Sequence, residues 1–349
     1  MPSIISDDIG SFPLPEGVGR KRIEETAFKL ITNSASGEEK EFFNKAVEGA
    51  MELKVASGIM HPNYPQFRDM IKGFFGLIEK FYEEDEPWVV KDEFAKIPEI
   101  DPLHAVGKKY YGDTGDALNL RVCVTGPLEL YLKNVGTAVE GDLLKNLAKS
   151  TSKFIKNSLI NEKYLETKTI SMDEPSLGLN PNIVVDDNDL ADAWNVSIEG
   201  CSDLDVQIHL HSSADIDRVY QSNIPIIGIE SAEDPKNLDG IDKRDLDDYG
   251  KFLRVGVART NIFGIAADFK ETMGVDVWKT KGFEEMLNYM ESPKIIGKRL
   301  ENACGILGDR ISYAGPDCGL GAWPGREAAS LLLKNTAQAV DKFNEKKNV

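Results

Sequence analysis

The sequence predicts an α/β protein folded as a (β/α)8 barrel of the TIM type, with an insertion around residues 83–118, and three observations carry that reading. Short apolar, β-rich runs alternate along the chain with longer amphipathic stretches, the pattern of a parallel sheet with helical crossovers. Runs such as IPIIGIE and FLRVGVA are apolar nearly throughout, which suits strands covered on both faces. No Gly-x-Gly-x-x-Gly follows the first run, so a barrel is favoured over a dinucleotide-binding doubly wound sheet.

In chain order the runs are IISDDIGSF, VCVTG, KTISM, VQIHLH, IIGIES, LRVGVA and RISYAG, separated by helix-like segments such as EEKEFFNKAVEGAMELK. The acidic, Pro-containing passage at 83–118 breaks the alternation and reads as an inserted hairpin or excursion. A last helix is expected over residues 323–346, opening near Trp323-Pro324 and closing in a Lys-rich turn that complements the helix dipole. There is no internal repeat of 20–50 residues and no low-complexity tract. With 349 residues and 41 % hydrophobic content, one large core is the economical reading, a single catalytic domain spanning 1–349.

Against 41 Lys+Arg stand 58 Asp+Glu, a formal charge of −17 that repels nucleic acid and anionic lipid at long range. No apolar run approaches the roughly 18 residues of a membrane span, and MPSIISDDIGSFPLP lacks the basic start and apolar stretch of a secretory leader. A cytoplasmic enzyme with neither a membrane nor a nucleic-acid partner is expected. Four cysteines at irregular spacing, Cys123, Cys201, Cys304 and Cys318, argue against a disulfide framework and leave metal binding or nucleophilic chemistry for any special thiol.

Of only four histidines, His209 and His211 stand two apart in DVQIHLHSS. Residues i and i+2 of a strand share a face, so both imidazoles can address one point at the C-terminal mouth of the barrel, where such barrels place their chemistry. The next run, PIIGIES, ends in Glu230, and the last, RISYAG, leads into PDCGLG and Cys318 at the same end. Each residue alone has an ordinary structural explanation. Jointly, His209, His211, Glu230 and Cys318 form an N/N/O/S set that suits tetrahedral Zn2+.

These residues sit within a wider pattern. DIGSFP at 8–13, VTGP at 124–127, MDEPSL at 172–177 and GPDCGL at 315–320 make the chain resemble, over nearly its whole length, the C-terminal catalytic barrel of the cobalamin-independent methionine synthase family. The resemblance implies transfer of a methyl group to the thiol of L-homocysteine to form L-methionine, with the zinc held by His209, His211, Glu230 and Cys318. His211 stands where that family usually has cysteine, which makes the resting site less negative by one charge. The resemblance also implies that Ile9, Gly10, Ser11 and Asp173 meet the amino-acid end of homocysteine, with Glu174 beside them, and that Glu230 leaves the metal when the thiol arrives.

GIMHPNYPQFRDM at 58–70 is similar to the corresponding stretch of short, single-barrel members, found among archaea and some anaerobic bacteria. The substrate-binding glutamate of the long form has no clear counterpart there, and Asn63, Tyr64, Gln66 and Asp69 are the polar candidates. Without a second barrel or a basic cluster for a polyglutamate tail, the implied donor is methylcobalamin or a methylated corrinoid protein, not methyl-folate. Two rival readings remain open at this point: a methyl-corrinoid transferase loading another thiol such as coenzyme M, and a metal-dependent amidohydrolase, which also uses His-x-His on a barrel.

Overall fold

Seven of the apolar runs become strands of one curled, mostly parallel sheet. The structure, a computed structural model, describes residues 3–347; the outermost residues of the expected domain, 1–2 and 348–349, lie outside them. The strands are β1 (Ile5–Ser6), β2 (Leu118–Thr125), β3 (Asn161–Glu162), β4 (Leu165–Asp173), β5 (Asp205–Leu210), β6 (Ile226–Ile229), β7 (Phe252–Ala258) and β8 (Ile311–Pro316). Their order in the sheet is β1-β8-β7-β6-β5-β4-β2, all parallel, with the two-residue β3 antiparallel to β4 as an unforeseen stub. β6 is buried throughout, as are β2 and β5 almost entirely, because helices pack outside and the remaining side chains fill the interior.

The two edge strands do not pair with each other. Between them lies residues 61–66, HPNYPQ, which forms isolated parallel bridges Asp7↔His61 and Ser11↔Gln66 on one side and Asn63↔Arg121 on the other. Backbone bonds from His61 N to Ser6 O (2.9 Å), Gln66 N to Gly10 O (3.2 Å) and Arg121 N to Pro62 O (3.1 Å) hold this segment in place. Two prolines remove donors from it, so it cannot make a regular ladder.

The passage at 83–118 divides in two. Its first part is a tight hairpin, bridged antiparallel at Tyr82↔Val90; the second carries the helix Leu103–Thr114, which ends at left-handed Gly115 and feeds β2. The last helix runs Arg326–Lys347, starting later than expected, after a turn and bend over residues 321–324 in which the Trp323 indole donates to Thr260 O at 2.9 Å. The helix Gly37–Ala56 opens on a Ser36/Glu39 capping box. Among the described residues no helix is long and apolar enough to cross a membrane.

Candidate metal centre

Because every sheet strand bar the β3 stub is parallel, the C-terminal ends of β5, β6 and β8 open on the same side. His209 is the fifth residue of β5 and His211 follows its end; Glu230 follows β6 and Cys318 follows β8. The structure brings all four together: their ligand atoms lie within 4.8 Å of one another, the one such group of three or more His, Cys, Asp or Glu among the described residues. His211 Nε2 is 3.2 Å from Glu230 Oε1 and 3.7 Å from Cys318 Sγ, and His209 Nε2 is 3.9 Å from Glu230 Oε1. Ligand atoms about 2.0–2.3 Å from a shared tetrahedral ion would be about 3.3–3.8 Å apart.

The hydrogen-bond accounting tests that fit. Both nitrogens of His209 and Oε1 of Glu230 are buried with no hydrogen-bond partner, a costly state that a shared cation relieves. Burial is also the largest influence on every titration at the site. It pushes the Glu230 carboxyl up to about 7, with Asp317 adding to the effect. It holds the Cys318 thiol far above its usual range, and it lowers both imidazoles, His209 strongly. Without a cation the four groups are driven toward neutrality, while a divalent ion favours two neutral imidazoles, a carboxylate and a thiolate. The residues present therefore fit a metal ion.

A cavity of about 280 Å³ opens beside this cluster, lined by Ile9, Ser11, Gln66 and Asp173 together with His209, His211 and Cys318. That volume lies near the small end of ligand pockets, about 300 Å³, and suits an amino-acid-sized guest. A cavity of about 840 Å³ elsewhere, near Lys40, Lys96 and His104, holds no cluster of ligand atoms. Asp173 is adjacent to His209 in sheet register. Burial raises its carboxyl to about 6, against the opposing pull of Arg121 and a hydrogen bond from Ser171. Ser11 lies against the turn that carries Cys318: its Oγ accepts from Gly321 N at 3.1 Å and its carbonyl from Leu320 N at 2.8 Å. Gly10 lies behind it, where a Cβ would come within 2.7 Å of Cys123 Sγ and 2.8 Å of Gln66 Oε1.

Glu174, expected beside Asp173 at the substrate, is turned elsewhere. It is fully buried, and its carboxylate accepts from Leu128 N, Glu129 N and Trp194 Nε1 at 2.6–3.0 Å, capping the helix Pro127–Asn134. The reason is the alternation of side chains at a strand end: with Asp173 facing inward, its successor faces out. Of the other polar candidates in 58–70, Tyr64 donates to Cys123 O and Asn63 is buried against the same strand, so neither lines the cavity, whereas Asp69 does.

Beneath the cluster lies a charged layer that the sequence reading missed. Arg121 on β2 and Arg254 on β7 are fully buried and flank Asp7, at 3.5 Å from Oδ2 and 2.9 Å from Oδ1 respectively. Gln207 donates to the same carboxylate at 3.2 Å. The backbone leaves no room for a side chain beside them: a Cβ on Gly315 would fall 2.4 Å from Arg254 Nη2 and 2.3 Å from Asp7 O. Arginine inside LRVCVT and FLRVGVA was the available signal, since only an inward, paired guanidinium belongs in a strand buried on both faces.

No protein-family model matches the chain, and no curated protein matches it in sequence. Among solved structures it is similar to a B12-independent methionine synthase from Shewanella sp. W3-18-1, described in complex with selenomethionine, at a TM-score of 0.60 and 13 % identity over 99 % of both chains. It is also similar to a Listeria monocytogenes protein assigned provisionally as a vitamin-B12-independent methionine synthase, at a TM-score of 0.54 and 12 % identity, again over 99 % of both chains. At these identities the likeness establishes a shared fold.

Proposed function

We propose that this chain is a zinc-dependent homocysteine methyltransferase of the short, single-barrel kind, forming L-methionine with a methylated corrinoid as donor. The carrying observation is the convergence of His209, His211, Glu230 and Cys318 on one point, with three of their atoms buried and unpartnered, in a fold shared with methionine synthases. In this reading residues 61–66 are the second strand of a closed (β/α)8 barrel, 1–349 is one catalytic domain, and the protein works in the cytoplasm.

His209, His211, Glu230 and Cys318 would hold the zinc, which when bound supplies a Lewis acid that lowers the pKa of an incoming thiol. The chain's own residues do the rest. Asp173, buried on the cavity wall and seated next to His209, receives the ammonium of homocysteine; Ser11 and the Ile9-Gly10 backbone shape the pocket around it, and Gln66 closes its wall. Glu230, whose side chain is partly exposed beside the cluster, would accept the thiol proton once it gives up its place in the ligand set. The sulfur then attacks the donor methyl: the S–C bond forms as the donor's bond to that carbon breaks, and the donor keeps the electron pair.

The amino-acid acceptor is favoured over a sulfonate such as coenzyme M because the cavity's charge is mainly acidic. Arg68 at its edge is neutralised by Glu99, 2.9 Å away, so the wall sets Asp173 and Asp69 against Arg20. The formal charge of −17 disfavours the polyglutamate tail of a folate. The deciding experiment supplies homocysteine with methylcobalamin, then with methyl-folate, and measures methionine. Turnover is expected with the first and little with the second; the reverse result overturns the donor, and no methionine from either, with zinc bound, overturns the reaction.

A further inference from the structure

Two buried polar side chains outside the ligand set tie together the loops that carry it. Asn237, in the short helix Lys236–Asp239 after β6, donates through Nδ2 to His211 O at 3.1 Å and to Glu230 O at 2.8 Å. One amide nitrogen, with its two hydrogens, thus spans the backbones of two residues whose side chains meet at 3.2 Å. On its other side Oδ1 accepts from Ser213 N at 3.2 Å and Ser213 Oγ at 3.4 Å. Turning the amide over would set oxygen against two carbonyls and nitrogen against an N–H, so the orientation is determined by its partners.

Asp317 makes the corresponding link to the third strand. Immediately before Cys318, it is buried, and Oδ1 accepts from Ser231 N at 3.0 Å and Ala232 N at 2.9 Å while Oδ2 accepts from Glu233 N at 2.7 Å. Those three amides are the loop that follows Glu230. Space for the carboxylate comes from Gly256, where a Cβ would lie 1.9 Å from Asp317 Oδ1. Neither Asn237 nor Asp317 lines the cavity, so neither has a part in binding the substrate.

We propose that Asn237 and Asp317 are positioning residues of the metal centre: Asn237 locks His211 to Glu230, Asp317 locks the Glu230 loop to Cys318, and three ligands from three strands are thereby held as one preformed unit. The inference rests on the zinc reading of the site. It follows from the polar accounting, because a crowded ligand set in which both His209 nitrogens and Glu230 Oε1 lack hydrogen bonds would relax apart if the loops under it were free to move. Both clamps act on backbone, not on ligand side chains, so they set where the ligands stand and not their electronic character.

The test compares the parent with Asn237→Asp, Asn237→Ala and Ser213→Ala, measuring zinc affinity by chelator competition, the visible spectrum of the Co(II)-substituted protein, and the melting temperature of the metal-free form. Asn237→Asp keeps the bonds from Ser213 but presents oxygen to both carbonyls; Asn237→Ala removes the clamp without adding charge and decides the matter if the aspartate variant does not fold. Both are expected to bind zinc about 10–100-fold more weakly and to shift the cobalt bands. Ser213→Ala, which leaves both carbonyl bonds in place, should keep the parent's affinity and spectrum. Parental affinity and an unchanged cobalt spectrum in Asn237→Ala, or an equal loss in Ser213→Ala, overturns the positioning role while the zinc reading stands. A parent that takes up neither zinc nor cobalt overturns both.

Discussion

Two buried histidines on the inner face of the same sheet live under opposite rules. His61, toward the N-terminal ends of the strands, has Nδ1 2.9 Å from Thr169 Oγ1 and 3.3 Å from Tyr313 OH, and Tyr313 in turn donates to Asp205. His209, toward the C-terminal ends, has no partner at either nitrogen. Burial lowers the pKa of both. The first has its Nδ1 tied into an internal network of hydroxyls; the second has two buried nitrogens whose bonds a shared cation would supply. Satisfaction of hydrogen bonds, more than residue type or depth, separates a structural histidine from a ligand-binding one.

The comparison breaks most sharply by deletion at each end. Cys318→Ser or His209→Ala should take zinc content from near one per chain to near zero by elemental analysis, because outer residues cannot replace a lost ligand. His61→Ala should leave zinc content untouched and lower the unfolding free energy by about 1–3 kcal/mol in urea titration, the cost of stranding buried partners. Full zinc in both ligand variants, or zinc loss in His61→Ala, would erase the distinction.

That contrast was only half legible in the sequence. His209, His211, Glu230 and Cys318 could be read as converging because each closes an apolar run, and parallel strands deliver their ends to one side. His61 sits in HPNYPQ, where two prolines and no β-branched residue hide a segment that bridges both sheet edges. Glu174 was misplaced because its neighbour Asp173 faces the cavity and pattern alone did not reveal the helix end waiting for it. Asp317 was legible only as part of GPDCGL and Asn237 not at all, since the partners that give them their role are backbone groups brought near by the completed fold.

A second way to sharpen the comparison is pH. In the metal-free protein burial raises Glu230 to about 7 and Asp173 to about 6, so both favour the protonated folded state. Their contribution to stability is therefore full at low pH, below the ordinary carboxyl range, and is lost as pH rises through about 6 to 7. Zinc reverses the sign, since its ligands must be deprotonated. Melting curves at a series of pH values should show the gap between zinc-loaded and metal-free protein widening from pH 5 to pH 8; a constant gap would mean that these carboxyls do not sense the ion.

The smallest expected effect lies at His211. His211→Cys adds one negative charge beside the metal, which should raise the pKa of the bound thiol and move the rising limb of the pH–rate profile upward. His211→Ala should instead weaken zinc retention. Parental retention and an unmoved profile in His211→Ala would make His211 an ordinary residue at a strand end.

The charged layer beneath the cluster constrains how this chain can change over generations. Asp7 is shared by Arg121 and Arg254, and Gly315 leaves the space they occupy. Losing Asp7 strands two guanidiniums in the interior, at about 3–5 kcal/mol, a large share of a domain's whole stability, and losing either arginine leaves the buried carbonyl it serves, Asp8 O or Pro316 O, without that donor. Single-step substitution at these positions is therefore nearly closed, and the four residues should pass through a lineage as one inherited block, kept together or exchanged together for an apolar filling of similar volume.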